Sequence, residues 1–278
     1  MQPRCVPVLL VLSLTALLMR PALGAEAPDG PFRNGQCLSC HAGRSPELVA
    51  AWKRSAHARA APKADCVACH GRTHDGAAVR ARRDATCVAC HEKRDRASVH
   101  SYATSKHAVI VKLEQDGWDS SQPLARGNYR APGCAYCHMH AGEHDTGRGV
   151  SGWKPYASTD GEEFVRERTA AVCGACHAPR YVGEQLATGA RMLELARMKI
   201  REARDVAARH HDALTEPERA EVARLLLGME RHARNVRIGV AHQSPDYQWW
   251  HGHPALDGDL LRVKGIVSER ERRLALPR

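Results

Sequence analysis

Residues 66–91, CVACHGRTHDGAAVRARRDATCVACH, carry one five-residue unit twice, as Cys66-Val-Ala-Cys69-His70 and Cys87-Val-Ala-Cys90-His91. Outward from this stretch the unit recurs as Cys37-Leu-Ser-Cys40-His41, Cys134-Ala-Tyr-Cys137-His138 and Cys173-Gly-Ala-Cys176-His177. The chain has 11 cysteines, and Cys5 alone stands outside these units. Two thiols three residues apart lie on one face of a helical turn, and the histidine that follows projects beside them.

That spacing suits two thioether bonds to the vinyl groups of one haem, with the adjacent imidazole as proximal iron ligand. A single copy also fits a zinc or redox site. Five copies do not, because each is isolated and the intervals between them show no paired zinc knuckles. Five covalently bound haem c groups (iron) are therefore expected. Cys37, Cys40, Cys66, Cys69, Cys87, Cys90, Cys134, Cys137, Cys173 and Cys176 would tether them, with His41, His70, His91, His138 and His177 as proximal ligands. An exported chain ordinarily spends cysteine on disulfides, and here none is left for one.

Residues 1–25 read as a secretory leader. Arg4 supplies the positive start, Val6 to Met19 the apolar core, and Ala22-Leu-Gly-Ala25 the small-residue cleavage pattern. An uncleaved anchor is the alternative. Export places the mature chain in the periplasm. The formal charge is +10, of which Arg4 and Arg20 leave with the leader. Nucleic acid is excluded as a partner, because the chain is exported and its Arg and Lys are scattered. The excess positive charge suits haem propionates instead. Aromatic residues are only 5% of the chain, with two Phe, so macrocycles are expected to supply core volume that rings normally fill.

The organisation expected is a leader at 1–25, a pentahaem-binding domain at 26–180 and a C-terminal helical domain at 181–278, mainly α throughout. Short helices and loops would wrap the cofactors, with a helix over Pro46–Ala60. Leu186, Leu193, Ile200, Ala207 and Leu214 then recur every seven residues. Thr215, Pro217 and Glu218 form a helix start. Val222, Leu226, Met229, Ala233, Val236 and Val240 continue as a second stripe that Pro245 is expected to end. A third helix is expected over Leu256–Leu274. The stripes predict a long helical hairpin or bundle, or a homo-oligomer joined through these helices.

Haem iron used for electron transfer is usually closed by a second strong ligand. By context the candidates are His57, His74, His107, His144 and His242, each otherwise a surface or packing residue. His100, His140, His251 and His253 are weaker candidates, and His210, His211 and His232 read as solvated or packed. Trp52, Trp118 and Trp153 are expected to pack on porphyrin.

These contexts resemble the hydroxylamine oxidoreductase family of octahaem cytochromes. Ala51-Trp-Lys-Arg-Ser-Ala-His57 after the first unit is similar to that family's first haem segment. Cys66 through Thr73-His74 to Cys87 is similar to the fifth-to-sixth, Tyr102-Ala-Thr-Ser-Lys-His107 through Cys134 to the seventh, and Cys173–Arg180 to the eighth. Gly239-Val-Ala-His242-Gln-Ser-Pro245 resembles the end of the family's helical domain. The resemblance implies His57, His74, His107, His144 and His242 as distal ligands. It also implies a departure. Only eight residues separate His57 from Cys66, where the family holds three further haems, the catalytic one among them. Tyr247 follows the helical element but is not assigned the family's haem cross-link.

The expected function is a periplasmic electron carrier with five bis-His haems and no catalytic residue. Its expected partners are other cytochromes or a quinone-linked membrane complex. The rivals are two. One is an oxidoreductase of a small nitrogen or sulfur compound (hydroxylamine, nitrite, sulfite) at one open haem, served by Asp145, His140 or the Asp246–His253 segment. The other is a structural subunit that docks through its C-terminal helices.

Overall fold

The computed structural model describes residues 30–122, 126–146 and 159–276. The expected leader and Trp153 lie outside the described residues. Among those described there is no strand, and the mainly α expectation holds.

The first half is a run of short helices: α1 (Asn34–Arg44), α2 (Pro46–Arg54), α3 (Ala56–Arg59), α4 (Cys66–His70), α5 (Ala77–Arg82), α6 (Asp84–Arg94), α7 (Arg96–Ala103), α8 (Lys106–Glu114) and α9 (Cys134–His138). Specific residues stop each one. The single helix expected over Pro46–Ala60 is broken at Ser55, whose backbone is extended (φ −67°, ψ 159°) and whose hydroxyl accepts from the Ala58 N–H at 3.2 Å. A serine that caps a new helix cannot also continue the old one. After α4 the chain turns at Gly71, with φ +78°. A Cβ there would lie 2.5 Å from Arg80 Nε, and that nitrogen donates to the His70 carbonyl at 2.9 Å.

The second half is α10 (Thr159–Gly174), α11 (Pro179–Arg209), α12 (Glu216–Ala241), α13 (Pro245–His251) and α14 (His253–Ala275). Helices α11, α12 and α14 pack against one another. One buried cluster joins Leu193, Ala196, Ile200 and Ala203 of α11 to Met229, Val236 and Val240 of α12 and to Leu256 and Leu260 of α14. A second joins Leu214, Val222 and Leu225 to Val263 and Val267. The predicted stripes are thus consumed inside the chain, with α14 as the third member. Thr215 and Glu218 form the expected capping box, the Thr215 N–H donating to Glu218 Oε2 at 2.8 Å.

Pro245 does not end α12; it opens α13. The helix stops at Ala241 because Gln243 takes a left-handed backbone, φ +53°. The Ser244 N–H then donates to the Gly239 carbonyl (2.8 Å) and the Gln243 N–H to that of Val240 (3.2 Å). These two bonds form the Schellman pattern, usually built on glycine.

Met229 is fully buried where the three long helices meet. Met229→Ala should cost about 3 kcal/mol through lost contacts and residual cavity. The urea midpoint followed by far-ultraviolet circular dichroism should fall accordingly; an unchanged midpoint would show that the bundle core is not where stability resides.

Candidate functional site

The five Cys-x-x-Cys-His units occupy equivalent local structure. The first lies within α1, the second is α4, the third lies in α6, and the fourth is α9. The fifth straddles the end of α10 but keeps the helical bond, the His177 N–H donating to the Cys173 carbonyl at 2.9 Å. None of the ten cysteines in these units forms a disulfide. Burial, joined by neighbouring thiols, pushes Cys66 up to about 11 and Cys137 up to about 12. Such groups stay neutral and are poor thiolate ligands or nucleophiles.

Successive units adjoin in sequence order. Cys37 adds to the upward push on Cys66, Cys87 and Cys90 add to that on Cys69, and Cys173 adds to that on Cys137. The thiols of Cys87 and Cys134 lie within hydrogen-bond reach of each other. Helix starts are capped across units. Asn34 of α1 accepts from the Cys66 N–H at 3.1 Å, and Asp84 of α6 accepts from the Cys134 N–H at 2.7 Å.

Candidate distal histidines face proximal ones from remote segments. Ring centres are 6.0 Å apart for His57 and His91, 6.1 Å for His70 and His144, and 6.1 Å for His107 and His177. An iron held between two imidazole nitrogens at ~2 Å separates the ring centres by roughly 6 Å. His242 adjoins His138, and burial, then His242, pushes His138 down to about 4. Burial likewise lowers His57, His70, His107 and His242, so these rings are neutral near pH 7 and carry the lone pair that iron requires.

Local bonds fix the distal rings. His242 Nδ1 donates to the Ile238 carbonyl (3.1 Å) and His144 Nδ1 to that of Gly142 (2.7 Å), which leaves Nε2 of each free. His57 Nδ1 lies 3.3 Å from Thr146 Oγ1. His57 and His107 each sit two residues after a fully buried serine. Ser55 and Ser105 cap α3 and α8, accepting from the Ala58 and Ala108 N–H groups at 3.2 Å each. These serines carry no ligand chemistry of their own. The repeated Ser-x-His at 55–57 and 105–107 was the available signal.

Other candidates are placed differently. The exposed His74 ring packs on Phe32, with ring centres 4.8 Å apart. His41 Nδ1 is buried without a protein partner among the described residues. Tyr247 is buried against His100 and His251, a packed ring rather than a projecting one. Asp145 faces Arg54 at 3.8 Å, and His140 packs on Tyr136. Trp52 Nε1 donates to the Ala64 carbonyl and Trp118 meets Tyr129 edge-on. The donor set therefore fits haem: paired thiols on a helical turn, and imidazoles facing one another at a spacing that would admit an iron.

Removing the α8 cap should loosen His107. Ser105→Ala is expected to cost about 1 kcal/mol and to turn part of the haem signal high-spin, with Ser105→Thr restoring both. Electron paramagnetic resonance checks this; an unaltered low-spin spectrum in the alanine variant would refute the positioning role.

A family model described as "Seven times multi-haem cytochrome CxxCH" matches residues 38–213. Among solved structures, a chain of the "Kuenenia stuttgartiensis reducing HAO-like protein complex Kustc0457/Kustc0458" shares the fold at a TM-score of 0.56 and 17% identity, over 87% of this chain and 86% of that one. The tethering units, the facing imidazoles and the family match agree, and the chain belongs to the multihaem c-type cytochromes, with covalently bound haem c and the fold of a HAO-like protein.

Proposed function

We propose that the chain is a periplasmic electron carrier with five haems, each closed by two histidines. The observation that carries this reading is the set of three imidazole pairs 6.0–6.1 Å apart. On that basis His57 pairs with His91, His144 with His70, His107 with His177 and His242 with His138. His74 then falls to His41. Bound haem supplies a reversible one-electron change at iron. The chain's cysteines would tether it, and its paired histidines would supply imidazole nitrogens to the iron. The neighbour relations among the units support a single path through the five centres in sequence order.

Partners of the expected kind, other cytochromes or a quinone-linked membrane complex, would dock on surfaces the single chain leaves uncovered. The C-terminal helices expose Leu227, Leu261, Trp249 and, at 74%, Trp250, which also suits a homo-oligomer. The rival reading, an oxidoreductase acting on hydroxylamine, nitrite or sulfite, is favoured by one feature only: His74 is exposed and engaged with Phe32. The centre at His41 is where an open position would be found.

Electron paramagnetic resonance of the oxidised holoprotein, with haem counted as the pyridine haemochrome, tests both readings. Five haems, all low-spin, are expected. One high-spin haem that shifts on adding hydroxylamine, nitrite or sulfite would overturn the carrier reading. His107→Ala should convert one haem of the five to high-spin without changing the count, and retention of five low-spin haems would refute its assignment to His177.

A further inference from the structure

Asp84 is used twice by the fold, and both uses place its charge between two haem-binding units. It opens α6, three residues before Cys87. Its Oδ1 accepts from the Cys134 N–H at 2.7 Å, and its Oδ2 accepts the Tyr102 hydroxyl proton at 2.7 Å. The same hydroxyl lies 3.3 Å from the Pro132 carbonyl oxygen. Gly133 leaves room for the carboxylate; a Cβ there would lie 2.6 Å from Oδ1. With Cys87 and Cys134 within hydrogen-bond reach of each other, macrocycles attached at both would flank this one carboxylate. The Tyr102 ring reaches on toward His242, with centres 6.3 Å apart.

The charge is not neutralised locally. Among the described residues no basic side chain forms an ion pair with Asp84; the nearby Arg82 guanidinium donates to the Ser120 and Ser121 carbonyls at 2.7 and 2.9 Å. Asp84 accepts both hydrogen bonds, from a neutral amide and a neutral hydroxyl, so neither contact brings a positive charge to it. Burial and the carboxylate itself drive the Tyr102 hydroxyl far above its ordinary range, so it stays a donor. A fixed negative charge in a half-desolvated site acts strongly over a few ångströms and disfavours electron gain by adjacent iron.

We infer that Asp84 holds down the reduction potentials of the two haems attached at Cys87–Cys90 and Cys134–Cys137, and that Tyr102 is the positioning residue that damps this charge. This rests on the electron-carrier reading. It separates from a purely structural cap because charge and capping can be removed independently. Asp84→Asn keeps an oxygen for the Cys134 N–H and removes the charge. Tyr102→Phe keeps the charge and removes its donor.

The test is a spectroelectrochemical titration of the holoprotein at pH 8, with haem counted and spin state recorded for every sample. In Asp84→Asn two of the five components should move to higher potential and three stay in place. In Tyr102→Phe the same two should move lower. Unmoved components in Asp84→Asn with haem fully loaded, all five moving together, or both variants shifting upward would overturn the inference. If Asp84→Asn fails to load haem, the absence of a downward shift in Tyr102→Phe overturns it alone. Failure of the carrier reading appears separately, as missing haem or a high-spin centre in the parent protein.

Discussion

The distance between facing imidazoles is the constraint on which the N-terminal half depends. Each Cys-x-x-Cys-His unit fixes one ring on a helical turn, and for His70, His91 and His177 the rest of the half brings a second imidazole to a centre-to-centre distance of 6.0–6.1 Å. Short helices serve this better than long ones, because every helix start is a chance to re-aim a side chain. Ser55 and Ser105 do this where they interrupt the chain just ahead of His57 and His107. The scarcity of aromatic residues suits the same arrangement, since side-chain bulk between the units would compete with macrocycles for space.

The C-terminal bundle acts as the anvil for this arrangement. It buries an ordinary aliphatic core of its own, and it meets the haem-binding half chiefly through α7. There the buried Ser101 hydroxyl donates to the Ile238 carbonyl (3.2 Å), Thr104 and Ser244 share a hydroxyl contact (2.9 Å), and Arg234 pairs with Asp95 (3.1 Å). These contacts flank the C-terminal part of α12, which leads into His242. The left-handed Gln243 and the Schellman turn end the helix at that point, so the ring sits at a rigid terminus rather than on a loop.

Much of this was legible in the sequence because it is local or periodic. The tethering units, the Thr215–Glu218 capping box and the bundle stripe are patterns with a fixed spacing. The break at Ser55 was missed because an apolar helical pattern runs through it, and a buried hydroxyl outweighs propensity only once the surroundings have formed. Pro245 was misread as a stop because proline is equally at home in a helix's first turn. The Asp84–Cys134 bond joins residues fifty positions apart. No periodicity announces it, and nothing in the chain before folding tells Asp84 from any other acid ahead of a helix. The matching of each distal histidine to its proximal partner was hidden for the same reason.

The imidazole pairs also have a topological consequence. On the proposed pairing, iron between His57 and His91, His70 and His144, or His107 and His177 would close loops of about 35, 75 and 70 residues, and in chain-entropy terms each closure would be comparable to a disulfide worth ~4 kcal/mol. The first loop would overlap the second, and the second the third, so the three closures would reinforce one another. A chain whose ten described cysteines form no disulfide would thereby gain through metal ligation the cross-linking that many exported domains draw from sulfur.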